Sequence, residues 1–236
     1  MHPLLFSLKR RYRKEKLPDP FAYLFKWFDR VPEGIFQVGA SSGQEIKGFA
    51  TQGIKTGIFV EPLPDAYKKL EQAVSLQSGY FAVNAVCADV AGKTCDFYVS
   101  KSGGASSSLL KPLGHLTSHP EVTFDSAPIT LVSTTVDQIV ADFKANGRAN
   151  IIAPIDLLYI DTQGAELSVL KGANQFLNQV RYVFAEVSHG GLYENDVNHK
   201  ELTEYLESRG FSLVFLYMNK TRWGDALYVR NSVFEE

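Results

Sequence analysis

Cysteine is nearly absent from this chain: two of the 236 residues, Cys87 and Cys95. They form neither a CxxC pair nor a zinc-ligand spacing, which excludes a zinc module and a disulfide-stapled scaffold. The default is two thiols in a reducing, cytoplasmic setting, with a single bridge between them as the alternative. Long apolar runs are missing too, and nothing approaches the roughly 18 consecutive apolar residues of a membrane-spanning helix. Leu4, Leu5, Phe6 and Leu8 are followed at once by charge, so they do not make a secretory signal. An excess of one charge is also lacking: the formal net charge is −2, which gives no footing for a general nucleic-acid role. Internal repeats and low-complexity linkers are absent.

What is present is ordinary for a globular protein, with 45% apolar and 21% charged residues. The length suits one domain with a large core and a short extension. We place the boundary at residue 30, giving a basic and aromatic helical extension over 1–30 and a single domain over 31–236. Lys9 to Lys16 holds six basic residues and one acid, leaving 18 basic and 25 acidic residues elsewhere. This run reads as the solvated face of a terminal helix, with peripheral attachment to an anionic membrane or a polyanionic substrate as the functional alternative. Asp19-Pro20 then looks like a cap and first helical turn. Phe21, Phe25 and Phe28 follow at helical spacing. Such a stripe packs a core, covers an active site or forms a homodimer face.

The most informative stretch is Gly34 to Glu45. Ile35, Phe36 and Val38 read as a buried strand, Gly39, Ser41 and Gly43 as a tight turn, and Gln44 to Thr51 as a helix. A strand turning tightly into a helix leaves backbone N–H groups facing the crevice beyond the strand end. Glu61 lies 22 residues after Gly39, at the end of a second apolar run (Ile58, Phe59, Val60). There an open α/β sheet places a carboxylate that grips a ribose. The loop departs from the G-x-G-x-x-G of dinucleotide folds, since Ser41 takes the middle position and no third glycine follows. A cofactor bearing a carboxylate rather than a pyrophosphate fits better, and S-adenosylmethionine is one. Gly39 to Gly43 also spells G-x-S-x-G, the nucleophile elbow of α/β hydrolases, with Ser41, an acid and His189 in the right chain order. Against this, the elbow would sit on the first strand of the domain and Glu61 would have no role. The serine hydrolase is the runner-up.

Further along, Asp65 to Ser75 has helical spacing and Tyr80 to Val86 reads as a strand. Gly92 to Ser100 looks like a hairpin arm. Ser102 to Ser108 is small and polar, and Lys111 to Pro128, with His115 and His119, is an irregular excursion over the sheet. Ile129 to Ser133 is a strand and Thr134 to Phe143 a helix. Ile155 to Ile160 is a strand buried on both faces. Gly164 to Leu170 is a helix, Tyr182 to Val187 a strand, and Asn198 to Arg209 a helix stopped by Gly210. Phe211 to Tyr217 and Ala226 to Val229 close the chain as a strand pair. Alternation of strands and helices means a doubly wound, mostly parallel sheet. About seven strands with an antiparallel last one give a Rossmann-like sheet of the class I methyltransferase type.

Ligands bind at the carboxyl ends of such strands, which nominates Gly39, Glu61, Asn84, Asp161 and His189. Asp161 also reads as a helix cap, and Glu166 as a first-turn carboxylate. Glu186 sits just inside a strand end, where a buried carboxylate needs a partner. His189 is placed to take a proton near neutral pH. Asp161, Glu186 and His189 also make a minor reading as metal ligands, but no tight metal motif is present.

Several segments carry a resemblance. Val38-Gly39-Ala40, Glu61-Pro62, Thr134-Thr135-Val136-Asp137, Ile160-Asp161-Thr162-Gln163-Gly164-Ala165-Glu166 and Val169-Leu170-Lys171-Gly172-Ala173 resemble the FkbM family of methyltransferases, in that family's order. Glu186-Val187 and Trp223-Gly224-Asp225-Ala226 resemble later elements. The resemblance implies a cytoplasmic S-adenosylmethionine-dependent O-methyltransferase that acts on a hydroxyl of a sugar, glycan or natural product. The cofactor would be held by Gln37, Gly39, Ala40, Ser41, Gly43, Glu61, Pro62, Asn84, Asp161 and Thr162. Asp161, Glu186 and His189 are the catalytic candidates, and Ser106, Ser107, Tyr193 and Trp223 the acceptor-binding ones. Gln37 stands where the family usually has an aspartate, and Ser41-Ser42 where it usually has asparagine and a small or apolar residue. These departures make a non-catalytic cofactor-binding relative the second alternative to the methyltransferase.

Overall fold

The computed structural model describes residues 12–13 and 31–235. Except for Tyr12–Arg13, the expected helical extension, its basic run and its aromatic stripe lie outside the described residues. Those two residues are extended rather than helical: strand β1 (Tyr12–Arg13) pairs in parallel with Leu216 and Tyr217.

The main sheet is built from β2 (Gly34–Val38), β3 (Thr56–Val60), β4 (Tyr80–Val83), β8 (Leu157–Ile160), β9 (Tyr182–Ser188), β10 (Phe211–Met218) and β11 (Trp223–Arg230), with β1 at one edge. Its order is β1-β10-β11-β9-β8-β2-β3-β4. The five strands from β4 to β9 run parallel, and β11 is inserted antiparallel between β9 and β10. Seven principal strands, counted in the order in which they enter the sheet, therefore lie 3-2-1-4-5-7-6. This is the class I methyltransferase type.

A smaller sheet holds β5 (Val86–Cys87), β7 (Ile129–Thr134) and β6 (Thr94–Phe97), in that order. It revises two expectations. The strand expected over Tyr80 to Val86 breaks at Asn84, and its last residues leave the main sheet to pair with β7. The arm expected over Gly92 to Ser100 finds its partner more than thirty residues later, since Thr94 pairs with Val132. Both depend on pairing across sequence distance, which local periodicity does not report. The excursion from Lys111 to Pro128 contains one helical turn, α3 (Gly114–Ser118).

Helices cover both faces. α1 (Ile46–Thr51) and α2 (Pro64–Ser75) press Ile46, Phe49, Leu70 and Val74 onto one face, against Ile35, Phe59, Tyr182 and Phe184. In α2, Pro64 and Asp65 open the first turn, where a missing N–H and a negative charge are both favourable, and Ala66, Leu70 and Val74 recur every fourth residue. The other face packs under α4 (Val136–Ala145), a short α5 (Ala149–Ile152), α6 (Glu166–Gly172) and α7 (His199–Ser208). Thr135 caps α4, and α7 begins with a reciprocal capping box between Asn198 and Glu201. Phe36, Leu158 and Val183 point into this face and Ile35, Leu157 and Tyr182 into the other. The apolar runs thus belong to strands buried on both sides. No described helix is long and apolar enough to cross a membrane. Cys87 and Cys95 are free thiols.

Candidate active site

Four strand ends meet at one edge of the parallel sheet, those of β2, β3, β8 and β9. The turn after β2 is shaped by Gly39, whose φ is +84°, a region that side-chain-bearing residues rarely adopt. A Cβ there would lie 1.8 Å from the Asp161 carbonyl oxygen, so only glycine lets the β2 and β8 ends approach. The backbone of this turn is used differently from the expectation. Gly39 and Ala40 donate to the Val60 carbonyl at 3.0 and 2.9 Å, and Gly43 donates to Ala40 at 2.9 Å. Ser41 donates to Glu61 Oε2 at 3.0 Å. These N–H groups hold the loop onto β3 instead of facing a ligand.

Glu61 is the anchor of this arrangement. It is buried, and its other oxygen accepts from Leu63 N–H at 2.9 Å. Burial pushes its carboxyl above the usual range, the two N–H donors oppose that shift, and nearby Asp161 adds to it. Each oxygen has taken one backbone donor and retains acceptor capacity.

Beside Glu61 lies a cavity of about 170 Å³. Gly39, Ser41, Gln44 and Glu45 form one wall, and Asp161, Thr162 and Gln163 another. Val86, Cys87 and Phe97 form an apolar slot, and Gly104 to Ser107 a lip. Three carboxylates (Glu45, Glu61, Asp161) line it, and among the described residues no lysine, arginine or histidine does. Such a lining rejects a pyrophosphate and suits a ligand carrying positive charge, a diol and a flat apolar end. The slot was missed in the sequence, because Val86, Cys87 and Phe97 are brought together by the small sheet.

A second cavity, of about 270 Å³, shares Ala105, Ser106 and Gln163 with the first. It is lined by Glu166, Glu186, Tyr193, Trp223, His115 and His119, among others. The excursion over the sheet thus forms part of its wall, through His115, His119 and Val122. Asp196 accepts from Gly191, Leu192 and Tyr193 N–H at 2.6, 2.9 and 3.1 Å, which fixes the loop that carries Tyr193. Tyr193 in turn donates to the Ser106 carbonyl at 3.0 Å.

Between the cavities sits a carboxylate cluster. Gln163 Nε2 donates to Asp161 Oδ1 at 2.8 Å and to Glu186 Oε2 at 2.7 Å. Glu166 Oε1 accepts from Thr162 N–H, the Thr162 hydroxyl and Gly164 N–H at 3.0, 3.1 and 3.0 Å. Burial is the main reason that the Glu166 carboxyl rises to about 7. Glu186 is pushed well above its ordinary value by burial, then by the charges of Asp161, Glu166 and Asp225, and Gln163 opposes the shift. Asp225 faces Glu186 across the β9–β11 pair.

The expected residues divide as follows. Gly39, Ser41, Glu61, Pro62, Asp161, Thr162 and Ser107 line the first cavity, Glu186, Tyr193 and Trp223 the second, and Ser106 both. Ala40 and Gly43 lie behind the loop, buried. Gln37 is buried beneath it, with its carbonyl oxygen unpartnered among the described residues. Asn84 is exposed and pins the chain after β3, donating to the Glu61 and Pro62 carbonyls at 2.8 and 3.0 Å. His189 is exposed, lines neither cavity and stacks edge-on against His199 at 5.3 Å. Asp161 and Glu186 come together without it. Among the described residues no group of three or more histidine, cysteine, aspartate or glutamate side chains is arranged to hold a metal ion. Gln163, unweighted in the sequence, is the hub. Its signal was the φ of +56° that a non-glycine residue adopts here, which no sequence displays.

The chain is 26% identical over 226 residues to the 2-O-methyltransferase NoeI of Sinorhizobium fredii, covering 89% of this chain and 88% of that protein. Its structure is similar to TrmK of M. capricolum in complex with S-adenosyl-homocysteine, with a TM-score of 0.49 and 10% identity over 92% of this chain and 70% of that one. It is also similar to a SAM dependent methyltransferase from Aquifex aeolicus, with a TM-score of 0.47 and 10% identity over 89% and 88% of the two chains. Nothing among these relatives supports a serine hydrolase, and in the structure Ser41 has no histidine beside it on the cavity wall. The sequence model described as the methyltransferase FkbM domain matches residues 37–213, and the chain belongs to that family as an S-adenosylmethionine-dependent methyltransferase.

Proposed function

We propose that the protein transfers a methyl group to a hydroxyl oxygen of a sugar, within a glycan or a glycosylated small molecule. The observation that carries this reading is the second cavity, which meets the first at Gln163 and presents Tyr193 and Trp223 beside Glu166 and Glu186. Aromatic faces match the C–H faces of a pyranose, and carboxylates accept from its hydroxyls. The relative named as a 2-O-methyltransferase supports oxygen as the acceptor atom.

The first cavity fits the cofactor on the chemistry of its donors. Glu61 would accept from the ribose hydroxyls, Val86, Cys87 and Phe97 would hold the adenine, and Asp161, Glu45 and Gln44 would face the amino-acid end. S-adenosylmethionine supplies, when bound, an electrophilic methyl group on a sulfonium. Glu186 would take the proton of the acceptor hydroxyl as that oxygen bonds to the methyl carbon and the methyl carbon–sulfur bond breaks, with S-adenosylhomocysteine as the leaving group, and its raised proton affinity would make it an effective base once ionised. Gln163 orients Glu186, Tyr193 and Trp223 hold the ring, and the two closed walls exclude water.

The test is a panel of hexose and deoxyhexose glycosides with labelled cofactor, against amine and carboxylic-acid controls. The expected product is an ether that withstands alkali and blocks periodate cleavage of the adjacent diol. Label transferred only to the amine or acid controls would overturn the reading. Glu186→Gln should lower turnover at least about a hundredfold, within the range for losing a general base, with affinity for S-adenosylhomocysteine retained.

A further inference from the structure

Gln163, which lines both cavities, is held from several sides. Its backbone φ is +56°, which costs a non-glycine residue of order 1 kcal/mol and persists only where the surroundings demand it. Its own carbonyl accepts from the Ser108 hydroxyl at 2.8 Å, tying the turn to the segment that roofs both cavities. The side-chain oxygen accepts from Tyr193 at 3.3 Å. The two amide hydrogens are then directed at two different carboxylates, Asp161 and Glu186. Reversing the amide would set its oxygen against both carboxylates, so electrostatics fixes one orientation.

Asp161 lines only the first of the two cavities and Glu186 only the second, whereas Gln163 lines both. We propose that Gln163 is a positioning residue that joins the two sites: one amide hydrogen holds Asp161 on the cofactor side, the other holds Glu186 on the acceptor side, and the state of one carboxylate is thereby transmitted to the other. The inference rests on the reading of the first cavity as the cofactor site and of Glu186 as the base, but the bridge itself is testable without an acceptor.

The physical argument is the cost of placing like charges together in a poorly solvated place. Glu186 is surrounded by Asp161, Glu166 and Asp225, with the Tyr159 and Tyr193 hydroxyls on neighbouring strands and loops, Glu61 beyond Asp161, and His115 5.3 Å from Tyr193. Among the described residues no lysine or arginine lines either cavity. The amide is the neutral group that offers a hydrogen to each member of the Asp161–Glu186 pair, which favours their ionised forms. Without it Glu186 retains its proton to higher pH, and only the direct repulsion by Asp161 still couples it to the first cavity.

The experiment is a carboxyl-carbon NMR titration of the full chain, labelled at aspartate and glutamate, with Asp161 and Glu186 assigned from Asp161→Asn and Glu186→Gln. The wild type is compared with Gln163→Leu, which lacks the donors, and with Gln163→Asn, which keeps the amide but not the reach. Thermal denaturation reports folding. Saturating S-adenosylhomocysteine should shift both resonances in the wild type. In both variants it should shift Asp161 as before and move Glu186 by less than half the wild-type displacement, the remainder being the direct repulsion between the two carboxyls, and the Glu186 titration should rise because a donor that favours its ionised form is gone. An unchanged titration in a folded variant, or a Glu186 response to S-adenosylhomocysteine equal to that of the wild type, overturns the proposal. If the wild type does not bind S-adenosylhomocysteine, the reading of the first cavity fails, and the ligand-free titration still decides the bridge.

Discussion

Replacing Glu61 by glutamine tests the cofactor site most directly, because the change conserves shape and removes only charge and one acceptor. In the wild type the two carboxylate oxygens accept from Ser41 N–H at 3.0 Å and Leu63 N–H at 2.9 Å. A glutamine satisfies one of these donors and turns its own NH2 toward the other, so one buried N–H loses its partner. That costs roughly 1–3 kcal/mol, which for a domain of this size lowers Tm by about 2–4 °C per kcal/mol. The cofactor loses a charged acceptor worth about 1.5–3 kcal/mol, or about ten- to a hundredfold in affinity. Calorimetric titration with S-adenosylhomocysteine reads the second effect and a melting curve the first. The pH dependence adds an internal control. The Glu61 carboxyl is raised by burial, so wild-type affinity should weaken as pH falls through its titration, whereas the glutamine variant should show no such limb. Affinity within twofold of the wild type in a folded Glu61→Gln protein would refute the argument and remove Glu61 from the ligand's contacts.

Other predictions follow from the same geometry. The Glu166 carboxyl is raised from 4.5 to about 7, so the folded state holds this proton more tightly than the unfolded chain. The stability it contributes is full below about 4.5 and is lost as pH rises through about 7, an effect of up to about 3 kcal/mol. Chemical denaturation between pH 5 and 8 should show this loss in the wild type, and Glu166→Gln, which keeps the carbonyl acceptor for Thr162 and Gly164, should flatten it. His189→Ala should leave both turnover and S-adenosylhomocysteine affinity unchanged, and a tenfold fall in turnover would return this exposed histidine to the site. Gly39→Ala should fail to give a cooperative melt, because its Cβ would overlap the Asp161 carbonyl and the residue would keep a φ of +84°.

The expectations that held share a cause. Ile58, Phe59 and Val60 form a continuous apolar run that ends in Glu61, and strand and strand-end acid both appear where the sequence implies them. The same is true of Leu157 to Ile160 before Asp161. Those features are local, since burial on both faces writes itself into consecutive residues and a polar residue marks the exit. The His189 expectation failed for a non-local reason. The residue does follow the β9 strand end, but its N–H donates to the Arg222 carbonyl at 2.9 Å and its ring meets His199, which turns it away from both cavities. Asn84 likewise sits at its strand end, yet it braces the backbone of Glu61 and Pro62 rather than facing the slot.

By itself the sequence determined the alternation of strands and helices, the tight turn after β2, the acid after β3 and the family resemblance, all of which are carried by neighbouring residues. Only the tertiary structure decided that Val86, Cys87 and Phe97 form one wall, that the excursion with His115 closes a second cavity, and that Gln163 stands between Asp161 and Glu186. Each of these needs segments far apart in the chain to meet, and the proton affinities of the carboxylates arise from that meeting. Desolvation and like-charge repulsion are properties of where groups are packed, which residue order leaves open.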